Sequence, residues 1–184
     1  MITGFDSIVE NMENSVSTLK MKAGESKVIR LIALEKAIAL WEHVEQFGGQ
    51  WKTIACLGKE KCPICKSGKN ASHKTYLPMV DRTDDKVKTF KANKTCVKQL
   101  SGLKEEYGDL TTRDIKVTRH GSGLDTTYQF FARDAKEEDL SAYEEQVPDF
   151  TSFVEQLSVE EIEQLMAGNV PDGVPVGADE DLPF

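Results

Sequence analysis

Apolar and polar residues alternate along several short stretches of the chain, a pattern typical of half-buried β-strands. Strands are predicted at 26–34, 38–47, 51–55, 74–82, 86–92, 113–119 and 126–132. Gly48-Gly49 indicates a tight turn between the second and third strands. A helix is predicted over 95–107, where apolar residues recur at helical spacing up to Gly108. Short strands interrupted by one helix predict a mainly β fold, a small and partly open barrel rather than a sheet of βαβ units.

The pattern also divides the chain into four regions. Residues 1–23 are polar and weakly patterned, and we interpret them as an N-terminal arm that precedes a core at 24–133. Residues 134–168 are predicted as an acidic helical extension, in which Ser158 and Glu161 form a capping box. Residues 169–184 contain three prolines and no periodicity, which predicts a disordered acidic tail.

Charge follows the same division. The chain has a net charge of −8, but residues up to Arg133 include 22 basic and 16 acidic side chains. From Asp134 onward there are 15 acidic side chains and one basic one. A basic body with an acidic extension indicates a polyanion-binding domain with a separate interaction segment, although a solubilising tail would give the same asymmetry.

Three of the four cysteines lie close together, as Cys56 and the Cys62-Pro63-Ile64-Cys65 turn. The first residues lack a secretory pattern, so we expect a cytoplasmic protein whose thiols bind metal rather than form disulfides. The flanking residues are typical of a loop, whereas a redox C-x-x-C normally opens a helix. The candidates for the fourth ligand are His43, His73 and Cys96. We favour His43 because pairing of 38–47 with 51–55 brings it towards Cys56, and four protein ligands predict one structural zinc ion.

Aromatic and basic residues on the predicted strands and loop are candidates for contact with nucleic acid. A ring can stack on a base, and a lysine can neutralise a phosphate. The candidate rings are Trp41, Phe47, Trp51, Tyr76 and Phe90, and the candidate lysines are Lys59, Lys61, Lys66, Lys69, Lys86 and Lys88. Aromatic residues of a small barrel are more often part of its core, and lysines on outer strands often only face solvent.

The series His43, Cys56 and Cys62–Cys65, together with the block 108–128, resembles the zinc-containing single-stranded-DNA-binding proteins of tailed bacteriophages, the T4-type helix-destabilising family. The resemblance covers about Lys27 to Tyr128. It implies an OB-fold-like five-stranded barrel with a zinc loop and an inserted helix. It also implies binding of single strands without strong sequence preference.

The last six residues resemble the terminal peptide of bacterial single-strand-binding proteins, which docks onto replication and repair enzymes. These residues are Asp179, Glu180, Asp181, Leu182, Pro183 and Phe184. The resemblance implies partners such as a polymerase, a helicase or a recombinase.

Together these features predict a non-catalytic protein that binds and protects single-stranded DNA during replication, recombination and repair, in the host cytoplasm if a phage encodes it. The alternative is a zinc-ribbon adaptor in transcription or RNA handling, which explains the cysteines but not the tail. We do not expect an enzyme, because the predicted zinc site is closed and no carboxylate cluster has metal-ligand spacing. No apolar run reaches the length needed to span a membrane, so we expect no membrane partner.

Overall fold

Seven strands make up most of the regular structure in the computed structural model, which describes residues 17–168. The strands are β1 Ser26–Leu31, β2 Ile38–Phe47, β3 Gln50–Ala55, β4 Ser72–Asp81, β5 Lys86–Ala92, β6 Arg113–His120 and β7 Thr127–Ala135. They form one antiparallel sheet in the order β3-β2-β4-β1-β6-β7, and β5 pairs with β4. The prediction of a mainly β protein is therefore confirmed.

Short helices lie between and after the strands. They are α1 Pro63–Lys66, α2 Lys94–Tyr107, α3 Ser141–Glu144 and α4 Val159–Met166, and 3₁₀ turns occur at Leu34–Lys36, Leu110–Thr112, Gly123–Asp125 and Phe150–Phe153. The Asn93 side chain accepts a hydrogen bond from the Cys96 N–H and so begins α2. The predicted capping box of Ser158 and Glu161 begins α4. None of the helices within the described residues has the length and apolarity that crossing a bilayer requires.

Two features differ from the sequence-based expectation. The first strand ends at Leu31 rather than residue 34, because Ala33 has a left-handed backbone (φ 41°) and leads into a 3₁₀ turn. The sheet is also open rather than barrel-shaped, with β3 at one end of the strand order and β7 at the other. Alternation of apolar residues predicts strands but does not specify whether the first and last strands pair, so closure was not encoded in that pattern.

The chain divides into two compact units. The first comprises residues 17–37 and 76–148 of the described chain. Its apolar core joins one face of the sheet to α2, and it includes Ile29, Leu31, Met79, Phe90, Cys96, Leu100, Ile115, Val117 and Phe130. These positions alternate along β1 and β6, as half-buried strands require.

An ion-pair network ties the start of the predicted acidic extension to this first unit. Arg30 is almost fully buried, and its Nε donates to Asp114 Oδ1 over 2.7 Å. Arg82 binds the same carboxylate over 3.2 Å and also contacts Glu138 at 2.5 Å. Arg30 further donates to the Lys136 carbonyl oxygen over 3.3 Å. Residues 136–138 are thus part of the folded body, because they complete the shell around a buried guanidinium.

The second unit comprises residues 38–75 and 149–168 of the described chain. Its small core contains Ile54, Cys62, Ile64, Ile162 and Leu165. Residues 149–168 therefore do not form a separate appendage, because α4 supplies two of these core side chains. A parallel bridge between Ile54 and Glu155 and an ion pair of 2.8 Å between Lys52 and Glu155 attach this segment to β3.

Candidate metal centre

The second unit brings His43, Cys56, Cys62 and Cys65 together, with one potential ligand atom from each within 4.8 Å of all the others. Antiparallel pairing of β2 and β3 places His43 opposite Ile54, so that Cys56 follows β3 close to the histidine. The Cys56 N–H donates to the Trp41 carbonyl oxygen over 2.8 Å, which extends this pairing up to the ligand itself.

The C-x-x-C turn is shaped by α1. Cys62 immediately precedes the helix and Pro63 is its first residue, where the missing N–H of proline has no cost. The Lys66 N–H donates to the Cys62 carbonyl oxygen over 3.1 Å, and the Ser67 hydroxyl donates to the Ile64 carbonyl oxygen over 2.8 Å. This single helical turn directs the Cys62 and Cys65 thiols towards the same point.

Three of the six separations between ligand atoms are close to those around a tetrahedral ion, and the other three are within 4.8 Å. His43 Nε2 lies 3.5 Å from Cys62 Sγ and 3.4 Å from Cys65 Sγ, and Cys56 Sγ lies 3.5 Å from Cys65 Sγ. Zinc with bonds of about 2.3 Å to sulfur and about 2.0 Å to nitrogen requires separations of about 3.5 Å for S···N and about 3.8 Å for S···S. The observed set therefore needs only small movements to bind such an ion, with His43 as the fourth ligand.

Burial and hydrogen bonding shift the ligands in different directions. Burial lowers the pKa of His43 and, together with Lys69, outweighs the opposite effect of Glu45, which favours the neutral imidazole that binds metals. Burial raises the pKa of Cys65 to about 11, helped by the neighbouring Cys56 thiol. Burial opposes ionisation of Cys62 too, but hydrogen bonds with backbone groups outweigh it and lower its pKa. A metal ion binds the thiolate form, so metal binding at this cluster releases the protons that the thiols carry.

The other two candidates for the fourth ligand are elsewhere. Cys96 is buried on α2 within the core of the first unit. His73 packs edge-on against Trp41, with the ring centroids 5.4 Å apart and the planes at 80°. His43 Nδ1 is buried and has no hydrogen-bond partner within residues 17–168.

The predicted DNA-binding tryptophans are both accessible but lie on opposite faces of the sheet. Trp41 is 49% exposed and Trp51 is 39% exposed. Trp51 pairs with Gln46, and Gln46 lies on the opposite side of β2 from Trp41 and His43. Trp41 thus shares the face of the metal ligands, and Trp51 does not.

The four predicted lysines of the loop that carries Cys62 and Cys65 are all exposed. They are Lys59, Lys61, Lys66 and Lys69. Lys69 forms a close ion pair with Glu45, whereas the other three side chains project from the loop that carries Cys62 and Cys65. The loop therefore carries more basic than acidic side chains, since Glu60 is its one acidic residue.

Lys86 and Lys88 belong to β5, in the first unit, and differ from each other. Lys86 is exposed. Lys88 Nζ contacts Asp81 at 2.8 Å and Asp84 at 2.7 Å, so acidic groups already compensate its charge. Burial alone would raise the pKa of Asp81, but hydrogen bonds from Lys88, Thr83 and Lys27 hold that pKa far below its usual range.

Three predicted stacking rings are not freely exposed. Phe90 is 3% exposed and packs edge-on against Tyr128 and Phe130 in the core of the first unit. Tyr76 is 4% exposed, with Lys91 above its ring. Phe47 is half-buried against the core beside the metal ligands. The expected free face on β5 is therefore wrong for Phe90, because both the sheet and α2 cover this strand.

Besides Tyr107, whose exposed ring lies under the Arg113 guanidinium, the sequence analysis missed the exposed ring of Phe131. Its side chain is 53% exposed on β7, while the preceding Phe130 is buried. Lys116 lies directly across from Phe131 on β6. The signal was present in the sequence, because two consecutive aromatic residues on a strand must face opposite sides.

The predicted partner-binding residues at 179–184, most of the N-terminal arm and the predicted disordered tail lie outside the described residues. No protein-family model, curated protein or solved structure matches this chain.

Proposed function

We propose that this protein binds single-stranded DNA without sequence specificity and without catalysing a reaction. In this proposal it protects the strand and recruits replication, recombination and repair proteins through its acidic C-terminal residues. We also propose that the open sheet is a relative of the OB-type barrel, as the resemblance to the phage proteins implies.

The observation that carries the proposal is the surface around Trp41, which we call the Trp41 surface. Under this name we group Trp41 and the exposed lysines of the loop that follows Cys56, namely Lys59, Lys61 and Lys66. The Cys56 N–H donates to the Trp41 carbonyl oxygen over 2.8 Å, which joins the start of this loop to the Trp41 backbone. The ring is half exposed, and its edge-on contact with His73 restrains its orientation. In the proposal the restrained ring stacks on a base while the lysines of the loop neutralise phosphates.

Such a surface favours single strands for a physical reason. Stacking on an aromatic ring contributes about 1–3 kcal/mol per base and does not depend on base identity. A duplex hides the base faces, so only its phosphates would be accessible to the same residues. The lysine contacts release condensed counterions, so binding should weaken steeply as salt rises.

The metal in this proposal is zinc, held by His43, Cys56, Cys62 and Cys65. When bound, zinc supplies four strong bonds that hold a short loop in one conformation, and four protein ligands leave no position for a substrate. The ligands' own role is to connect β2, the end of β3 and α1, and thereby to position the lysines of the loop. A closed ligand set supports a structural role rather than an enzymatic one.

Fluorescence anisotropy with oligonucleotides of mixed sequence tests the proposal. Wild-type protein should bind single-stranded DNA tightly at low salt and duplex DNA much more weakly. Trp41→Ala should weaken single-strand binding by about 1–3 kcal/mol. Trp51→Ala removes the same side chain from the opposite face and should have a smaller effect. Equal affinity for single strands and duplex, or an unchanged affinity in Trp41→Ala, would refute the proposed mode of binding.

A further inference from the structure

The outer side of the sheet in the first unit carries an exposed ring that the Trp41 surface does not include. Register places Val28, Lys116 and Phe131 side by side across β1, β6 and β7. On the other side of the same strands, Ile115, Val117 and Phe130 are buried in the core. Phe131 is thus an exposed aromatic on the face that does not contribute to the core.

Apart from Val28, the residues in register around Phe131 are polar or basic. We define the Phe131 face as eight outward positions on β1, β6 and β7: Ser26, Val28, Lys116, Thr118, His120, Thr127, Gln129 and Phe131. These eight positions contain no carboxylate. The next register pair on the same side of β1 and β6 is Arg30 and Asp114, in which the guanidinium compensates the carboxylate in an ion pair of 2.7 Å. In a chain with a net charge of −8, eight neighbouring positions without an acid form a local surface that does not repel a polyanion.

Hydrogen-bonding groups on the Phe131 face are already ordered. The Ser26 and Thr118 hydroxyl oxygens are 2.8 Å apart, and His120 Nε2 lies 3.1 Å from Gln129 Oε1. Both pairs are at exposed positions, so each retains capacity for a further hydrogen bond. Ordered hydroxyl, amide and imidazole groups beside a ring and a lysine can contact the bases, sugars and phosphates of a nucleotide strand.

We propose that the Phe131 face is a second binding surface for single-stranded nucleic acid, on which Phe131 stacks on a base and Lys116 contacts a phosphate. This inference rests on the proposed function, but it concerns a different unit and a different set of residues. Two properties favour a nucleotide strand over a second protein copy. The face has one ring rather than a continuous apolar patch, and its other members are mainly polar.

Substitutions at Phe131 test the stacking directly, because an exposed side chain can change without unfolding the protein. In anisotropy titrations with single-stranded DNA, Phe131→Leu keeps an apolar side chain but removes the ring, and should weaken binding by roughly 5- to 150-fold. Phe131→Tyr keeps the ring and should bind within about twofold of wild type. Leu124→Ala, which truncates another exposed apolar residue of the same unit, is the control and should not change affinity.

The phosphate contact has its own test. Lys116→Gln should lower the slope of log affinity against log salt by about 0.7, the value for one phosphate contact on a single strand. Crosslinking of the wild-type complex with oligonucleotides containing 5-iodouracil, followed by peptide mass spectrometry, should give adducts at Phe131.

The results separate this inference from the proposed function. If Trp41→Ala weakens binding but Phe131→Leu binds as wild type does, the Phe131 face is not a binding surface while the proposed function stands. If wild-type protein binds no single-stranded DNA, both fail. If Phe131→Leu changes the oligomeric state in sedimentation experiments and leaves DNA affinity unchanged, the face is a protein interface and the inference is wrong.

Discussion

Replacing Ile162 by alanine should weaken metal binding, although Ile162 is on α4 and is not a ligand. Its side chain is fully buried and packs with Cys62 and Ile64, which belong to the metal-binding turn. Because metal binding and folding of a small site are thermodynamically linked, loss of packing on the turn should reduce the affinity for the ion.

The size of the effect on zinc affinity follows from the number of buried carbon atoms that the substitution removes. The substitution removes three carbon atoms from a buried position, at about 0.8 kcal/mol each, and leaves a cavity. Buried isoleucine to alanine substitutions cost about 2–5 kcal/mol in total. If the transfer cost of about 2.4 kcal/mol falls entirely on the metal-bound form, zinc affinity should decrease by up to about 50-fold.

Chelator competition and thermal unfolding measure this coupling. Ile162→Ala should release zinc to a colorimetric chelator at lower chelator concentration than wild type. Its melting temperature should fall by about 2–4 °C for each kcal/mol lost. Met166→Ala truncates an exposed residue of the same helix and should change stability by less than about 0.5 kcal/mol. An Ile162→Ala protein with wild-type zinc affinity and melting temperature would show that α4 does not support the metal-binding turn.

Four further predictions concern the cysteines, a buried ring, a buried carboxylate and the last six residues. Purified protein should contain about one zinc ion per chain, and Cys62→Ser should release it, whereas Cys96→Ser should retain it; metal analysis checks both. Phe90→Ala should lower the free energy of unfolding by about 3–5 kcal/mol and so lower the melting temperature, with any loss of DNA binding following from unfolding. The pKa of Asp81 is lowered in the folded state, so its contribution to stability is fully present above the ordinary carboxyl pKa and is lost as pH falls through the lowered one. Asp81→Asn should therefore flatten the acid side of a plot of unfolding free energy against pH. Deleting residues 179–184 should leave the melting temperature unchanged and abolish capture of replication or recombination proteins from extract; equal capture by full-length and truncated protein would contradict the proposed recruitment.

The positions of the strands and of α2 and α4 could be predicted because local features specify them, whereas the single-turn helix α1 after Cys62 was expected to be loop. The predicted strands at 38–47 and 86–92 coincide with β2 and β5. Alternation of apolar residues, the Gly48-Gly49 turn and the capping box at Ser158 each act over a few residues, so no long-range contact was needed. The first strand was predicted too long because the left-handed conformation of Ala33 has no such local signal.

The exposure of individual rings could not be predicted in the same way. Phe90 is on a strand covered on both sides, whereas Phe131 is on a strand covered on one side. Alternation along a strand distinguishes two faces, but it does not say which face another element covers. Phe90 is buried because it packs against Tyr128 and Phe130, which are far from it in sequence, so contacts between distant residues decide its exposure.

By itself, the sequence determined the chemistry of the metal centre: three thiols at close spacing, a C-x-x-C turn and a small set of candidate fourth ligands. Only the tertiary structure decided that His43 completes the set and that Cys96 belongs to a different core. It also decided that α4 packs against the metal-binding turn. Ligand type is a property of single residues, whereas the choice among distant ligands depends on strand register and packing, which bring together residues that local patterns cannot relate.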